Sequence, residues 1–138
     1  MPGCVGLNIR KASRAVTQLY DAALQPAGLR VTQLSILAVA SRMERATISK
    51  LGEALVMDRT TLTRNLQPLE KKGLIKIAPG EDRRTREVSL TGRGRKSLSK
   101  GIPLWEKAQK RMVGALGEDR WSRMLRDLTD AVAIAQGA

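Results

Sequence analysis

Between Asp58 and Leu90 the apolar residues change their period once, at Gly73. Before it, Leu62, Leu66 and Leu69 recur at three- and four-residue steps, which marks one face of a helix. After it, Leu74-Ile75-Lys76-Ile77-Ala78 carries the two-residue period of a strand. Pro79-Gly80-Glu81-Asp82 then reads as a turn, and Glu87-Val88-Ser89-Leu90 as the returning strand. Asp58 is a good N-cap and Gly73 a good stop, while Lys71 and Lys72 sit where a helix dipole favours cations. Pro68 removes a backbone hydrogen bond and is expected to bend the last turn. A helix that runs directly into a hairpin leaves few folds open.

The flanks are helical. Ile9, Ala12, Val16, Leu19, Tyr20, Ala23 and Leu24 give a helix over about residues 7 to 24, closed by Pro26 and Gly28. Thr32 is the expected cap of a second helix with Leu34, Leu37, Val39, Ala40 and Met43. Ala46 or Thr47 opens a short third with Ile48, Leu51 and Leu55 inward. Beyond the hairpin, Thr91 caps a long helix striped with Leu98, Ile102, Trp105, Met112 and Leu116, and Pro103 is expected to kink it. Gly117 breaks the chain, and Glu118 and Asp119 open a last helix with Trp121, Met124, Leu125, Leu128 and Val132. Four helices, a hairpin and two helices, without an internal repeat, make a mostly α chain with a small β-hairpin wing: a winged helix-turn-helix.

Composition narrows the partner. Of 138 residues 42% are hydrophobic but only 2% aromatic, with no Phe, so the core must be aliphatic, which suits helix packing. There are 25 Lys and Arg against 13 Asp and Glu, a net charge of +12. A basic excess of that size points to nucleic acid or an anionic membrane. No apolar run of about 18 residues is present to span a bilayer, and Arg10, Lys11 and Arg14 interrupt any signal-peptide layout at the N-terminus. A nucleic-acid partner in the cytoplasm, with nucleoid association and no membrane, is the expectation. With no His and Cys4 the one cysteine, a tetrahedral zinc site, a Cys-His pair or a Ser-His-Asp triad cannot be built. The chain is expected to be neither an enzyme nor a holder of metal or cofactor.

At about 100° per residue, Thr60, Thr63, Arg64, Gln67 and Lys71 fall within roughly 60° of one line, with Leu62, Leu66 and Leu69 opposite. Arg can fork onto guanine, Gln onto adenine, and a Thr methyl can meet a thymine methyl. Arg59, Thr60, Thr61, Thr63, Arg64 and Gln67 are the candidate readers. A polar stripe alone is an ordinary solvated face; the short helix before it and the basic hairpin after it make it more. Arg83, Arg84 and Arg86 crowd the hairpin tip, where an arginine suits a narrow minor groove. Residues 58–96 carry 11 basic and 5 acidic side chains, half of the net charge. Cys4 has two readings: an incidental terminal thiol, or a redox-sensing or intersubunit-bridging one with Arg10 and Lys11 nearby in sequence.

Asp58-Arg59-Thr60-Thr61-Leu62-Thr63-Arg64, Leu69-Glu70-Lys71-Lys72-Gly73-Leu74-Ile75 and Asp82-Arg83-Arg84 leading to Val88-Ser89-Leu90-Thr91 together resemble the MarR (multiple antibiotic resistance regulator) family. The last is similar to that family's wing signature, Asp-x-Arg before a strand ending in Leu-Thr. The resemblance covers nearly the whole chain and implies a single domain working as a homodimer. About 32–91 would be the DNA-binding lobe, with the helix-turn-helix from 46 to 73, and about 5–25 and 92–136 the dimerisation helices. Asp82 would brace the wing and Arg84 would enter the minor groove of a pseudo-palindromic double-stranded operator. It further implies a repressor released by a small aromatic or phenolic effector or by oxidation. Cys4 resembles only loosely the sensing cysteine of the peroxide-responsive branch, and the sequence places no ligand pocket. An architectural winged-helix protein that binds nucleic acid without sequence preference is the competing expectation.

Overall fold

The computed structural model describes residues 1–137. Helix α1 spans Val5–Leu24 and ends in a 3-10 turn, Gln25–Ala27; α2 is Val31–Arg42. A two-residue strand β1, Ala46–Thr47, leads into α3, Ile48–Leu55, and α4, Arg59–Lys71. Strands β2, Ile75–Pro79, and β3, Arg86–Leu90, follow, then α5, Gly92–Leu116, and α6, Glu118–Ala135. The chain divides within α5 into two compact units, Met1–Trp105 and a second from Glu106 onward.

The first unit is built on the expected aliphatic core. Leu24, Ile36, Leu37, Leu51, Leu62, Leu66 and Leu69 are fully buried in one cluster with Leu34, Leu74, Ile75, Val88 and Leu98. No polar or charged residue is buried among the described residues, so this core carries no desolvated charge. Ile36 falls outside the helical stripe read from the sequence. It is buried because α2 also buries Leu34, Leu37 and Ala40, more than one face.

Two local expectations need correction. Thr32 does not cap α2: the N-cap is Arg30, whose N–H donates to the Gln33 side chain at 3.1 Å. The next donor, Val31 N–H, reaches Asp21 Oδ1 of α1 at 2.8 Å, a cap supplied from ten residues away. The hairpin, moreover, is part of a three-stranded antiparallel sheet, β1-β3-β2. β2 pairs with β3 through Ile75↔Leu90, Ile77↔Val88 and Pro79↔Arg86, and β1 adds Ala46↔Val88 and Thr47↔Glu87 on the other edge. The remaining caps are as expected. Thr47 and Asp58 accept from the backbones of Lys50 and Thr61, and Thr91 Oγ1 accepts from Gly94 N–H. Both Pro68 and Pro103 are contained within continuous helices.

Close approaches lock the lobe around α4. Thr91 donates its N–H to the Leu74 carbonyl at 3.1 Å and its hydroxyl to the Gly73 carbonyl at 2.6 Å. A Cβ on Gly94 would lie 1.9 Å from the Leu74 oxygen, so only glycine lets the first turn of α5 seat there. In the α3–α4 turn, a Cβ on Gly52 would lie 2.8 Å from the Met57 oxygen. Val56, in the same turn, takes a left-handed conformation with φ +54°, costly for a β-branched residue, and is 54% exposed. Val56→Gly is therefore expected to stabilise the fold by about 1 kcal/mol in urea unfolding. A lower midpoint at unchanged slope would mean that the valine side chain contributes more than the strain costs.

Candidate nucleic-acid interface

The orientation of α4 is set by what it buries. Leu62, Leu66 and Leu69 are 0–1% exposed, whereas Arg59, Thr60, Thr61, Thr63, Arg64 and Gln67 are all exposed. The helix begins at Asp58, whose Oδ1 accepts from Thr61 N–H at 2.7 Å. The Thr61 N–H first and the Thr61 hydroxyl next, with smaller contributions from the Thr60 N–H and the Arg64 guanidinium, hold the Asp58 carboxyl below its ordinary value. The Asn65 amide donates back to the Thr61 carbonyl at 2.8 Å, which occupies the side chain flanking the stripe.

The hairpin tip is organised by its own backbone. Gly80 N–H donates to the Thr85 carbonyl at 2.9 Å, and a Cβ on Gly80 would strike the Thr85 hydroxyl at 2.5 Å. Asp82 accepts from Arg84 N–H at 3.0 Å through its carboxylate and from the Thr85 hydroxyl at 2.8 Å through its carbonyl. Arg83, Arg84 and Arg86 stand exposed around this turn. One contact was invisible to sequence reasoning: Arg45, before β1, forms an ion pair with Glu81 across 36 positions. The hydrogen bond and charge of Arg45 hold the Glu81 pKa below its ordinary value, and Glu81 raises that of Arg45, each favouring the other's charged form.

Leu69, Leu74, Ile75 and Val88 belong to one core cluster, so α4 and the hairpin are mounted on one lobe. Cys4 lies elsewhere: it caps α1, its half-buried Sγ accepting from Leu7 N–H at 3.5 Å. A groove of about 310 Å³ runs beside the wing base, lined by Met43, Arg45, Ala46, Glu87, Leu90 and Arg95. Another of about 510 Å³ lies in the second unit, with Gln109, Lys110, Val113 and Trp121 in its wall. Among the described residues no cluster of His, Cys, Asp or Glu fits a metal ion, and no helix is long and apolar enough to cross a membrane.

The Asp58 cap has a pH signature. A carboxyl whose folded value lies below its unfolded one contributes its full stabilisation above the unfolded range, about pH 4, and loses it as pH falls through the folded value. Asn caps well without titrating. Asp58→Asn should therefore match the native melting temperature near neutral pH and lose less of it by about pH 3. Parallel losses in both proteins would remove Asp58 from the acid response.

The MarR family model matches residues 29–85, from the approach to α2 through the wing tip. The HTH-type transcriptional regulator SarZ of Staphylococcus epidermidis is 35% identical over 85 residues, 61% of this chain and 57% of its own. The organic hydroperoxide resistance transcriptional regulator of Bacillus subtilis is 32% identical over 94 residues, 67% of this chain and 64% of its own. The chain thus spans less than two thirds of the length of these curated relatives. The crystal structure of the M. tuberculosis transcriptional regulator MosR in complex with DNA is 38% identical, with a TM-score of 0.90 and 97% of both chains covered. A wing mounted on a helix-turn-helix lobe, a family match across that lobe and a shared fold over 97% of the chain have one reading: the protein belongs to the MarR family.

Proposed function

We propose that the protein is a sequence-specific reader of double-stranded DNA that regulates transcription as a homodimer, in the cytoplasm and associated with the nucleoid. The observation that carries this reading is the division of α4 into a fully buried leucine face and an exposed Thr, Arg and Gln face, on the same lobe as an arginine-tipped wing. Family and fold are those of regulators rather than enzymes.

In this proposal Arg64 and Gln67 offer forked hydrogen bonds to base edges, with Arg59, Thr60, Thr61 and Thr63 nearer the helix N-terminus and therefore deeper in the major groove. Arg84, its N–H bonded to the Asp82 carboxylate, enters the flanking minor groove, with Arg83 and Arg86 on the adjacent phosphates. Asp82 is then the brace of the wing. Dimerisation is supported by apolar side chains left exposed at both ends of the chain. These are Val5, Leu7, Ile9 and Val16 on α1, and Met124, Leu125, Leu128, Val132 and Ile134 on α6, which buries no residue of its own. Residues of about 5–25 and 92–136 would supply that interface, and about 32–91 the DNA-binding lobe. The protein acts as a repressor released by a small effector or by an oxidant, the latter through Cys4, the single thiol.

Selection of bound duplexes from a random pool near physiological salt tests the reading. A pseudo-palindrome with half-site centres about 10 base pairs apart is expected. On that duplex Arg64→Ala should cost about 1–3 kcal/mol at one base position, and binding should weaken steeply with salt. Uniform weakening across sequences would make Arg64 a phosphate contact. The net charge of +12 also suits a sequence-indifferent architectural protein, and tight salt-dependent binding without enrichment would replace the present reading with that one.

A further inference from the structure

We infer that the Arg45–Glu81 ion pair is a wing tether: it fixes the direction in which the arginine tip reaches and thereby sets the share of site selection the wing contributes. This rests on the reading of the hairpin as a minor-groove wing.

The two ends of the pair differ in how firmly the backbone holds them. Arg45 immediately precedes Ala46 and Thr47, which are hydrogen-bonded into the sheet opposite Val88 and Glu87. Glu81 lies in the tip, residues 80–85, between the last paired residue of β2, Pro79, and the first of β3, Arg86. The hydrogen bonds described for the tip itself, between Gly80 and Thr85 and from Arg84 and Thr85 to Asp82, join tip residues to one another. They shape the turn and join it to no residue outside 80–85. Arg45–Glu81 connects the tip to a different part of the fold, the α2–β1 connection. It is also the one ion pair among the described residues, in a chain with 25 basic and 13 acidic side chains.

Charge gives the pair a second consequence. Arg83, Arg84 and Arg86 repel one another, so an unanchored tip gains by splaying. Glu81 precedes them in the same turn, and its carboxylate is held by the Arg45 guanidinium, on which Glu87 also acts favourably. Arg45 is thus neutralised by the protein, which makes it a positioning residue rather than a phosphate contact. The pair is exposed, 48% and 76%, and such pairs contribute little to global stability. Its removal should therefore leave the fold intact and change the wing.

The test uses Glu81→Gln, Arg45→Glu and the swapped double variant Arg45→Glu with Glu81→Arg, which keeps the native net charge. Two quantities are read at low ionic strength, where an exposed pair is least screened. The first needs no DNA: amide hydrogen exchange of Arg84 and Thr85 should speed up in both single variants and return towards native in the swap. The second is binding to the selected duplex and to a copy whose A·T flanks are replaced by G·C. Each single variant should lose about two- to fivefold of the native preference for the A·T flanks, and the swap should recover it. Glu81→Gln raises the net charge, so a purely electrostatic role predicts tighter binding with the preference unchanged, and that result would overturn the tether. So would native exchange rates in the single variants, or a swap as weak as Arg45→Glu alone, which would make Arg45 a direct phosphate contact. A native protein indifferent to the flanks would sink the minor-groove reading, while the exchange rates would still decide the tether by themselves.

Discussion

The burial of Leu62, Leu66 and Leu69 sets the rotation of α4 about its own axis, and the rest of the proposed DNA-binding surface follows from that rotation. Each of these leucines is essentially fully buried, and truncating one to alanine typically costs about 2–5 kcal/mol. A rotation of α4 that brought Thr63 or Gln67 inward would expose a leucine and bury an amide or hydroxyl without a partner, so both sides of the exchange oppose it. Asp58 and Gly73 then set where the helix starts and stops. The Thr91 bonds to the Gly73 and Leu74 carbonyls, with Gly94 seated against Leu74, fasten the following turn to α5. Helix α4, the sheet and the start of α5 are held as one body by contacts whose partners are identifiable residues.

What was legible in the sequence was what depends on near neighbours. The leucine face of α4, the caps at Thr47, Asp58 and Thr91, and the change of period at Gly73 all act within a few residues, and all appear in the structure. What escaped was made across the chain. β1 has two residues, too few for a two-residue period to register, and exists because Val88 and Glu87 pair with it. The N-terminus of α2 is closed by Asp21 rather than Thr32, because the packing of α1 delivers a carboxylate there at 2.8 Å. Ile36 is buried because α2 is covered on more than one face. The left-handed Val56 was unreadable because nothing in its side chain advertises a conformation that it disfavours. For the candidate site, the exposure of the polar face of α4 and of the arginines of the tip could be expected from the sequence. The Arg45–Glu81 pair could not, since its partners lie 36 positions apart.

Charge is distributed as a DNA reader would need it. The core is aliphatic with no buried polar or charged side chain among the described residues, so the net charge of +12 lies at the surface. With a single described ion pair, few of the 25 cations are neutralised by direct contact with a carboxylate. Such a surface gains by releasing counterions when phosphate replaces solvent, which supplies affinity without sequence information. In the proposed reading, discrimination comes from the geometry of α4 and from the direction of the wing, and both are mounted on the same buried cluster.

In the proposed complex one rigid lobe engages a major groove and the adjacent minor groove together. Footprinting of the bound duplex with two probes tests it: dimethyl sulfate at guanine N7 in the major groove, and hydroxyl radical at the minor-groove edge of the backbone. Each half-site should show both protections, separated by about half a helical turn, roughly 5 base pairs, and native protein should never yield one without the other. Major-groove protection with an unprotected flank, or uniform backbone protection with every guanine still reactive, would contradict it.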